Sequence, residues 1–246
     1  MGMAVKFLRE ETIEAEAEVL LDEYMSARVP VNDPPVPVDD ILEIHLGLSL
    51  DFDDLHQMLG IPKLGDIDIL GATWVESKEV YIDESLDPDK YPDKEGRYRF
   101  TVGHEIGHWP LHRHYFIKDP AQATMMFPDL PSKPSVVCRK SERKEPIEWQ
   151  ADFFASCLLM PRAMVLKAWQ KQFGNMEPYI LDVKKLCLYE LPGAENPEEL
   201  IEREFSAIAR LFAPLFSVSI QAMRIRLEKL GLLPKTQTLP ILASKT

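Results

Sequence analysis

The stretch His104-Glu105-Ile106-Gly107-His108 predicts how the rest of the chain is arranged. Two histidines four positions apart lie on one face of a helix, so both imidazoles can reach a single metal ion. Glu105 lies off the line that the two rings share, which suits a carboxylate that holds a water beside the metal. Gly107 has no side chain and would let a neighbouring helix or a sheet pack close to this one. The stretch therefore predicts a metal site on a helix, in the HExxH pattern of zinc peptidases.

A third protein ligand has to come from elsewhere in the chain, and the segment that begins at Glu148 offers one. After Gln150 this segment is apolar almost all round, which is typical of a buried helix. Glu148 and Asp152 share one face of it, and buried carboxylates are costly unless a cation compensates them. We therefore predict Glu148 as the third ligand and Asp152 as the acceptor of a hydrogen bond from the outer ring nitrogen of His104. Two alternatives stay open: Asp152 as the ligand, or a helix-capping and loop-binding role for the two carboxylates.

Several side chains near the motif are candidates for contacts to the substrate or to the oxyanion of the reaction: His112, Tyr115, Tyr98 and Arg97. His112 continues the line of the two motif histidines, but it lies a further turn along and about 40° around the helix, too far for the same ion. Pro110 is also expected to stop or kink the helix before it. His112 is thus predicted to lie behind a ligand or to face the substrate, with a surface histidine as the alternative.

Composition and charge narrow the class of protein. The chain has 246 residues, of which 46% are hydrophobic, enough for a sizeable core. Its net charge of -12 opposes unspecific attraction to nucleic acid and to anionic membranes. The chain has no recognisable secretion signal and no apolar segment long enough to span a bilayer. Cys138, Cys157 and Cys187 are widely spaced, so we predict reduced thiols in a cytoplasmic protein.

Periodicity predicts an α+β fold in a single domain, 1–246. Its sub-regions would be 11–96 with the first helices and the sheet, 97–172 with the site and an irregular insertion at 113–146, and 173–233. The predicted helices are 11–28, 41–46, 97–109, 147–159, 163–172, 197–211 and 219–230, the last two as a C-terminal helical hairpin. Strands at 48–52, 69–75 and 79–83 would form a small, mostly antiparallel three-stranded sheet.

The segment Arg99 to His112 resembles the RFTxxHExGHxxLH segment of the ImmA/IrrE family of metallopeptidases. Glu148 to Pro161 is similar to that family's ExxA[ND]xFAxxLLMP block. Residues 36–48 resemble its PVDI and LGI signature, and residues 217–232 resemble its closing segment. The ordered match runs from about residue 11 to 233, although the connection between Leu111 and Glu148 appears longer than is usual in the family.

This resemblance implies a zincin-like (gluzincin) core with HExxH on one helix and the third glutamate on the next. It implies a zinc-dependent endopeptidase with one Zn²⁺ per chain at His104, His108 and Glu148, and a zinc-bound water activated by Glu105. Family members cut transcriptional repressors, so the expected partner is a protein substrate that is itself a DNA-binding repressor. Direct binding to nucleic acid or to a membrane is not expected.

Two other functions stay open. Residues 205–232 look like a helix-turn-helix with Arg224, Arg226 and Lys229 on the later helix, which would suit a regulator that binds DNA or a repressor without cutting it. The net charge of -12, together with Pro214 and Glu228, argues against that reading. A zinc site kept only for structure would need four protein ligands, commonly thiolates, and three are evident.

Overall fold

The computed structural model describes residues 5–63, 68–117, 134–139, 145–181 and 197–234, which form an α+β structure. Its helices are α1 (Glu10–Ala27), α2 (Val38–Asp40), α3 (Leu55–Leu59), α4 (Glu95–His112), α5 (Pro146–Leu159), α6 (Arg162–Phe173), α7 (Pro197–Phe212) and α8 (Ile220–Lys229). Its strands are β1 (Ser49–Asp53), β2 (Ile69–Trp74), β3 (Glu79–Asp83) and β4 (Val136–Arg139). A π-helical turn, Ile41–His45, continues directly from α2 and ends ahead of Gly47, whose φ is 67°.

Helix α1 buries the face that its spacing predicts and packs it against α5 and α4. The buried residues are Ile13, Ala17, Leu20, Leu21 and Tyr24. Positions three, four and seven residues apart fall on one side of an α-helix, so the acidic residues between them face outward. Helix α1 therefore covers the outer side of α4 and α5, the two helices that carry the residues of the candidate site.

The sheet has four strands in the order β1-β3-β2-β4 among the described residues, which corrects the prediction of three. Strand β2 runs antiparallel to β3 and to β4, whereas β1 pairs parallel with β3. The fourth strand comes from the insertion at 113–146, which the sequence predicted to be irregular. Four residues are too few to show an alternating pattern, and β4 gains its hydrogen bonds only by pairing with the distant β2.

Helix α4 carries the motif and is longer than predicted at both ends. It begins at Glu95 and continues through Pro110 as far as His112, so a stop at the proline is wrong and a kink there stays a prediction. A proline removes one N–H from the helical ladder. Leu111 and His112 are nevertheless buried, and their burial outweighs that loss.

Helix α4 packs along α5, and glycine permits the close approach. A Cβ atom added at Gly107 would lie 3.1 Å from Cδ1 and 3.2 Å from Cβ of Phe154 on α5. This contact confirms the predicted close packing and identifies its partner as the helix of Glu148. One turn earlier, a Cβ added at Gly103 would lie 3.4 Å from that of Ala155, an ordinary van der Waals distance.

The chain divides into two compact units. The first comprises Met1–Pro161 with Phe216–Val218 and holds the sheet, α1 to α5 and every predicted site residue; the second comprises Arg162–Leu215 with Ser219–Thr246. The single-domain assignment stays a prediction. The axes of Glu199–Phe216 and Ile220–Lys229 are bent by 106°, so the predicted C-terminal helical hairpin is a strongly bent pair. Among the described helices, none alone is long and apolar enough to cross a bilayer, although this bent pair passes a test of length and composition.

Candidate metal centre

Three predicted ligands from two helices converge on one point. His104 Nε2 lies 3.0 Å from His108 Nε2 and 3.2 Å from Glu148 Oε2. His108 Nε2 lies 3.7 Å from the other oxygen of the same carboxylate. Zn–N and Zn–O bonds of about 2.0–2.2 Å in a tetrahedron separate neighbouring ligand atoms by roughly 3.3–3.5 Å. The three side chains therefore have the spacing and the chemistry of a ligand set for one small divalent cation.

Asp152 fixes the orientation of the His104 ring. Its Oδ1 lies 2.9 Å from His104 Nδ1, on the side of the ring away from Glu148. An ionised carboxylate only accepts hydrogen bonds, so Nδ1 carries a proton and Nε2 is the nitrogen that can bind a metal ion. Glu148 thus lies among the candidate ligands and Asp152 lies behind His104; the arrangement agrees with the assignment that we predicted, which stays a prediction.

A chain of hydrogen bonds fixes the other histidine. The backbone carbonyl of Lys6 accepts a hydrogen bond from Gln150 Nε2 at 3.0 Å, which turns the Gln150 carbonyl oxygen towards His112 Nε2, also at 3.0 Å. His112 must therefore donate through Nε2 and accept through Nδ1, which lies 2.9 Å from His108 Nδ1. His108 consequently carries its proton on Nδ1, and its Nε2 presents a lone pair.

The two Nε2 atoms face each other 3.0 Å apart beside Glu148, and a positive charge, either a metal ion or a proton on His104, stabilises that arrangement. Glu148 Oε2 is buried and has no hydrogen-bond partner among the described residues. Burial lowers the pKa of His108, and nearby His104 and His112 lower it further, so this ring is neutral. Burial also opposes protonation of His104, but Cys138, Asp152 and Glu148 outweigh it and raise the pKa of that ring. The donors thus fit a metal ion, with a proton on His104 as its competitor.

Glu105 lies beside the candidate ligands, and one of its two carboxylate oxygens accepts a hydrogen bond from the sheet. The side chain is fully buried, and its Oε2 accepts a hydrogen bond of 2.6 Å from the hydroxyl of Thr73 on β2. Its Oε1 lies against Gly71, where any larger residue would collide with it, and has no hydrogen-bond partner in the described part of the chain. Burial raises the pKa of Glu105 to about 7, although His104 and Thr73 lower it. A carboxylate with such a pKa suits a base at neutral pH.

The sequence analysis missed several contributors to this centre: Gly71, Thr73, Cys138 and Gln150. Cys138 is nine-tenths buried, and its sulfur lies within 4.8 Å of ligand atoms of both His104 and Glu105. The apolar residues that flank Gln150 could have indicated that this polar side chain is buried. Gly71, Thr73 and Cys138 lie on strands, and their positions depend on long-range pairing that no local pattern shows. Cys138 and Cys157 are free thiols, as predicted, and Cys187 lies outside the described residues.

The candidates for contacts to the substrate or oxyanion are engaged elsewhere. Tyr98 donates to Asp39 at 2.7 Å and Arg97 forms an ion pair with Asp68 at 3.4 Å. His112 is fully buried behind His108, so the predictions of a substrate-facing or surface histidine are corrected in favour of the role behind a ligand. The hydroxyl of Tyr115 accepts a hydrogen bond from the backbone N–H of residue 6 at 3.1 Å, and a substrate contact by Tyr115 stays a prediction.

The chain is similar to one family of known proteins and to a solved structure. Residues 62–228 match a peptidase family model described as the IrrE N-terminal-like domain. No curated protein matches the chain. A solved structure described as a Mycobacterium tuberculosis transcriptional regulator is similar to it at 12% sequence identity with a TM-score of 0.43. The similarity covers 88% of this chain and 47% of that regulator, so this chain spans about half of the regulator's length.

Proposed function

Because the chain belongs to the IrrE N-terminal-like peptidase family, we propose that it is a zinc-dependent endopeptidase. Its substrate would be a specific protein, and its active site would have the zincin-like (gluzincin) arrangement of two histidines and a glutamate. The observation that carries this proposal is the close approach of the two Nε2 atoms, 3.0 Å apart beside Glu148. Bulk composition and charge leave the reaction open, so the proposal rests on this cluster together with the family.

In the proposed mechanism His104, His108 and Glu148 hold the ion. When bound, Zn²⁺ lowers the pKa of a coordinated water and polarises the carbonyl group that the water attacks. Glu105 accepts the proton of the water through its unbonded Oε1, since Oε2 is held by Thr73. The same carboxylic acid then donates that proton to the leaving amine. Burial of Glu105 keeps bulk water away from the proton during both steps.

Removal of the metal tests the proposal directly. We expect treatment with 1,10-phenanthroline to stop cleavage of the substrate, and addition of Zn²⁺ in slight excess of the chelator to restore it. Mg²⁺ should not restore it, because that ion prefers an octahedral shell of oxygen ligands. Cleavage is followed by the appearance of two product masses. A chelated protein that cleaves at the untreated rate would exclude metal-dependent hydrolysis.

The hydroxyl of Thr73 gives a finer test of the role of Glu105. Thr73→Val removes a buried hydrogen bond to a charged group, which is worth about 1.5–3 kcal/mol, so we expect cleavage to slow by roughly 10- to 100-fold. Thr73→Ser keeps the hydroxyl and should restore most of the rate. Zinc content, measured by mass spectrometry, should be equal in all three proteins. Equal rates for the valine and serine variants would show that this hydrogen bond does not position the base.

For the substrate we propose a DNA-binding repressor, a class that rests on the ImmA/IrrE resemblance. A repressor encoded beside the gene of this chain is the first substrate to incubate with the zinc-loaded protein. A single cleavage site in that repressor is the expected result. An intact repressor, with the site metal present, would move the search to other protein substrates. General substrates such as casein would decide little if the specificity is narrow.

The second candidate is a regulator that binds DNA or a repressor through the corner of α7 and α8. The bend of 106° favours it, since helix-turn-helix pairs meet at about 90–120°. Charge weighs against it, because Arg226 is 99% buried and Arg224 forms ion pairs with Glu202 and Glu228. A salt-sensitive shift of random duplex DNA in a gel would support this function, and the absence of any shift at low salt would exclude DNA as its ligand.

A further inference from the structure

Among the described strands β4 lies at the edge of the sheet, and its register directs a cysteine towards the candidate metal centre. Cys138 pairs with Gly71 of β2, and Val136 pairs with Thr73. Residues that pair directly in an antiparallel ladder have side chains on the same face, as do residues two apart on one strand. Cys138 therefore lies on the face of the sheet where Gly71 and Thr73 contact Glu105.

The thiol lies next to one predicted ligand. The Cys138 sulfur lies within 4.8 Å of the nearest ligand atoms of His104 and Glu105. The cysteine is 9% exposed and has no disulfide partner. His104 also belongs to a second group, with His108 and Glu148, so this one histidine joins the thiol to the predicted ligand set.

An independent feature indicates that this side of the site accommodates a cation. Glu105 is fully buried, and its Oε1 has no hydrogen-bond partner among the described residues. An unpaired buried carboxylate is costly, and a positive ion beside it removes that cost. Thiolate sulfur is a preferred zinc ligand, and two histidines, a glutamate and a cysteine complete a four-coordinate shell.

We propose that Cys138 is the fourth ligand of the metal held by His104, His108 and Glu148. The thiol loses its proton to solvent when the ion binds, as cysteine ligands do. This assignment of the ligand stands on the cluster alone. Its functional consequence rests on the proposed peptidase function: with Cys138 bound, the position needed by the attacking water is filled.

The strand that carries Cys138 also occupies the place of a substrate. Extended peptides bind by adding a strand to a free sheet edge, and β4 already pairs with β2, a strand that contacts the motif helix α4. The same four residues thus cover both the metal and the peptide-binding edge. The chain is then a latent peptidase, which a partner or substrate activates by displacing β4.

The ligand is tested with the full chain loaded with Co²⁺, whose thiolate complexes have a charge-transfer absorption in the near ultraviolet. We expect this band in the unaltered protein and in Cys157→Ala, and its loss in Cys138→Ser. The serine variant should also bind Zn²⁺ at least about 10-fold more weakly, because it lacks one of four ligands. A band that survives in Cys138→Ser would overturn the proposal.

Alkylation tests the same ligand without any variant. Iodoacetamide should modify Cys138 at least 10-fold more slowly with stoichiometric Zn²⁺ than without it, as measured by peptide mass spectrometry. Equal rates in both states would contradict metal ligation even if Cys138→Ser failed to fold. Cys157 is buried in α5 and serves as the internal reference, whose modification rate should not respond to the ion.

Latency has its own readout. If β4 and Cys138 restrain the enzyme, Cys138→Ser at saturating Zn²⁺ should cleave the repressor substrate faster than the unaltered chain, by at least about threefold. A slower or equal rate would overturn latency and leave the ligand assignment to the cobalt and alkylation results. If neither the unaltered chain nor any variant cleaved the substrate, the proposed function would be in doubt. The cobalt absorption band and the protection that Zn²⁺ gives Cys138 against alkylation would still decide whether Cys138 is a ligand.

Discussion

Glu105→Gln abolishes cleavage while the protein still binds one zinc ion per chain. Glutamine has the same shape, so it can keep its contacts with Gly71 and Thr73 on β2. Its amide cannot accept a proton from water at neutral pH, so the base is lost and the ligands are not. General acid–base catalysis contributes about 10²- to 10⁴-fold, and we expect a loss of that order. Cleavage is measured as the initial rate of product formation at saturating Zn²⁺.

Glu43→Gln is the matched control, because it makes the same chemical change at an exposed position beyond α2. Its rate and its zinc content should equal those of the unaltered protein. If Glu105→Gln kept more than about a tenth of the rate, Glu105 would not be the base and the mechanism would fail. If Glu105→Gln also failed to bind zinc, its loss of activity would be explained by the damaged metal site and would not test proton transfer.

Gly107→Leu should give the largest loss of stability among the substitutions considered. Phe154 already lies 3.1–3.2 Å from the position of an added Cβ, so three further carbons would have to enter occupied space. Overpacking of this kind costs about 1–3 kcal/mol and separates α4 from α5. Because each helix supplies ligands, zinc affinity should fall together with the free energy of unfolding. Denaturant melts of the metal-free protein and a zinc titration measure the two effects.

Two alanine variants separate packing from helix propensity. Alanine is favoured over glycine in a helix by about 0.8–1.0 kcal/mol, and this gain is common to both positions. At Gly103 the new methyl group meets Ala155 at 3.4 Å, so Gly103→Ala should keep the gain. At Gly107 the close contact with Phe154 should offset the gain in helix stability, so Gly107→Ala should be the less stable of the two variants. The packing argument would be refuted if Gly103→Ala and Gly107→Ala had equal free energies of unfolding and Gly107→Leu were as stable as the unaltered protein.

The residues along α4 and α5 could be predicted from the sequence because their positions follow from local geometry. The spacing of His104 and His108 fixes their shared face, and Asp152 lies one turn beyond Glu148 in the same way. Their juxtaposition across the two helices followed from the cost of burying carboxylates without a cation. The observed contact of 2.9 Å between His104 and Asp152 agrees with that argument.

The strand side of the centre could not be predicted, because it depends on which strands pair. Nothing in residues 113–146 indicates that Val136–Arg139 would pair with β2, nor that Cys138 would lie opposite Gly71. A shift by one residue would turn the thiol to the other face of the sheet. The parallel pairing of β1 with β3 is likewise a property of the assembled sheet. The continuation of α4 beyond Pro110 depends on tertiary burial, which local propensity does not include.

The hydrogen bond from Gln150 to the Lys6 carbonyl ties the segment ahead of α1 to the protonation of His108, a proposed metal ligand. Phe7 secures the same segment by stacking on Trp149, with ring centroids 6.1 Å apart. Without the Lys6 carbonyl the Gln150 amide is free to rotate, and the single tautomer of His108 becomes a mixture of two, one of which has a proton where the ion binds. A purification tag or a truncation that disturbs residues 5–9 therefore acts on the metal centre itself, and the limits of an expressed chain should leave them in place.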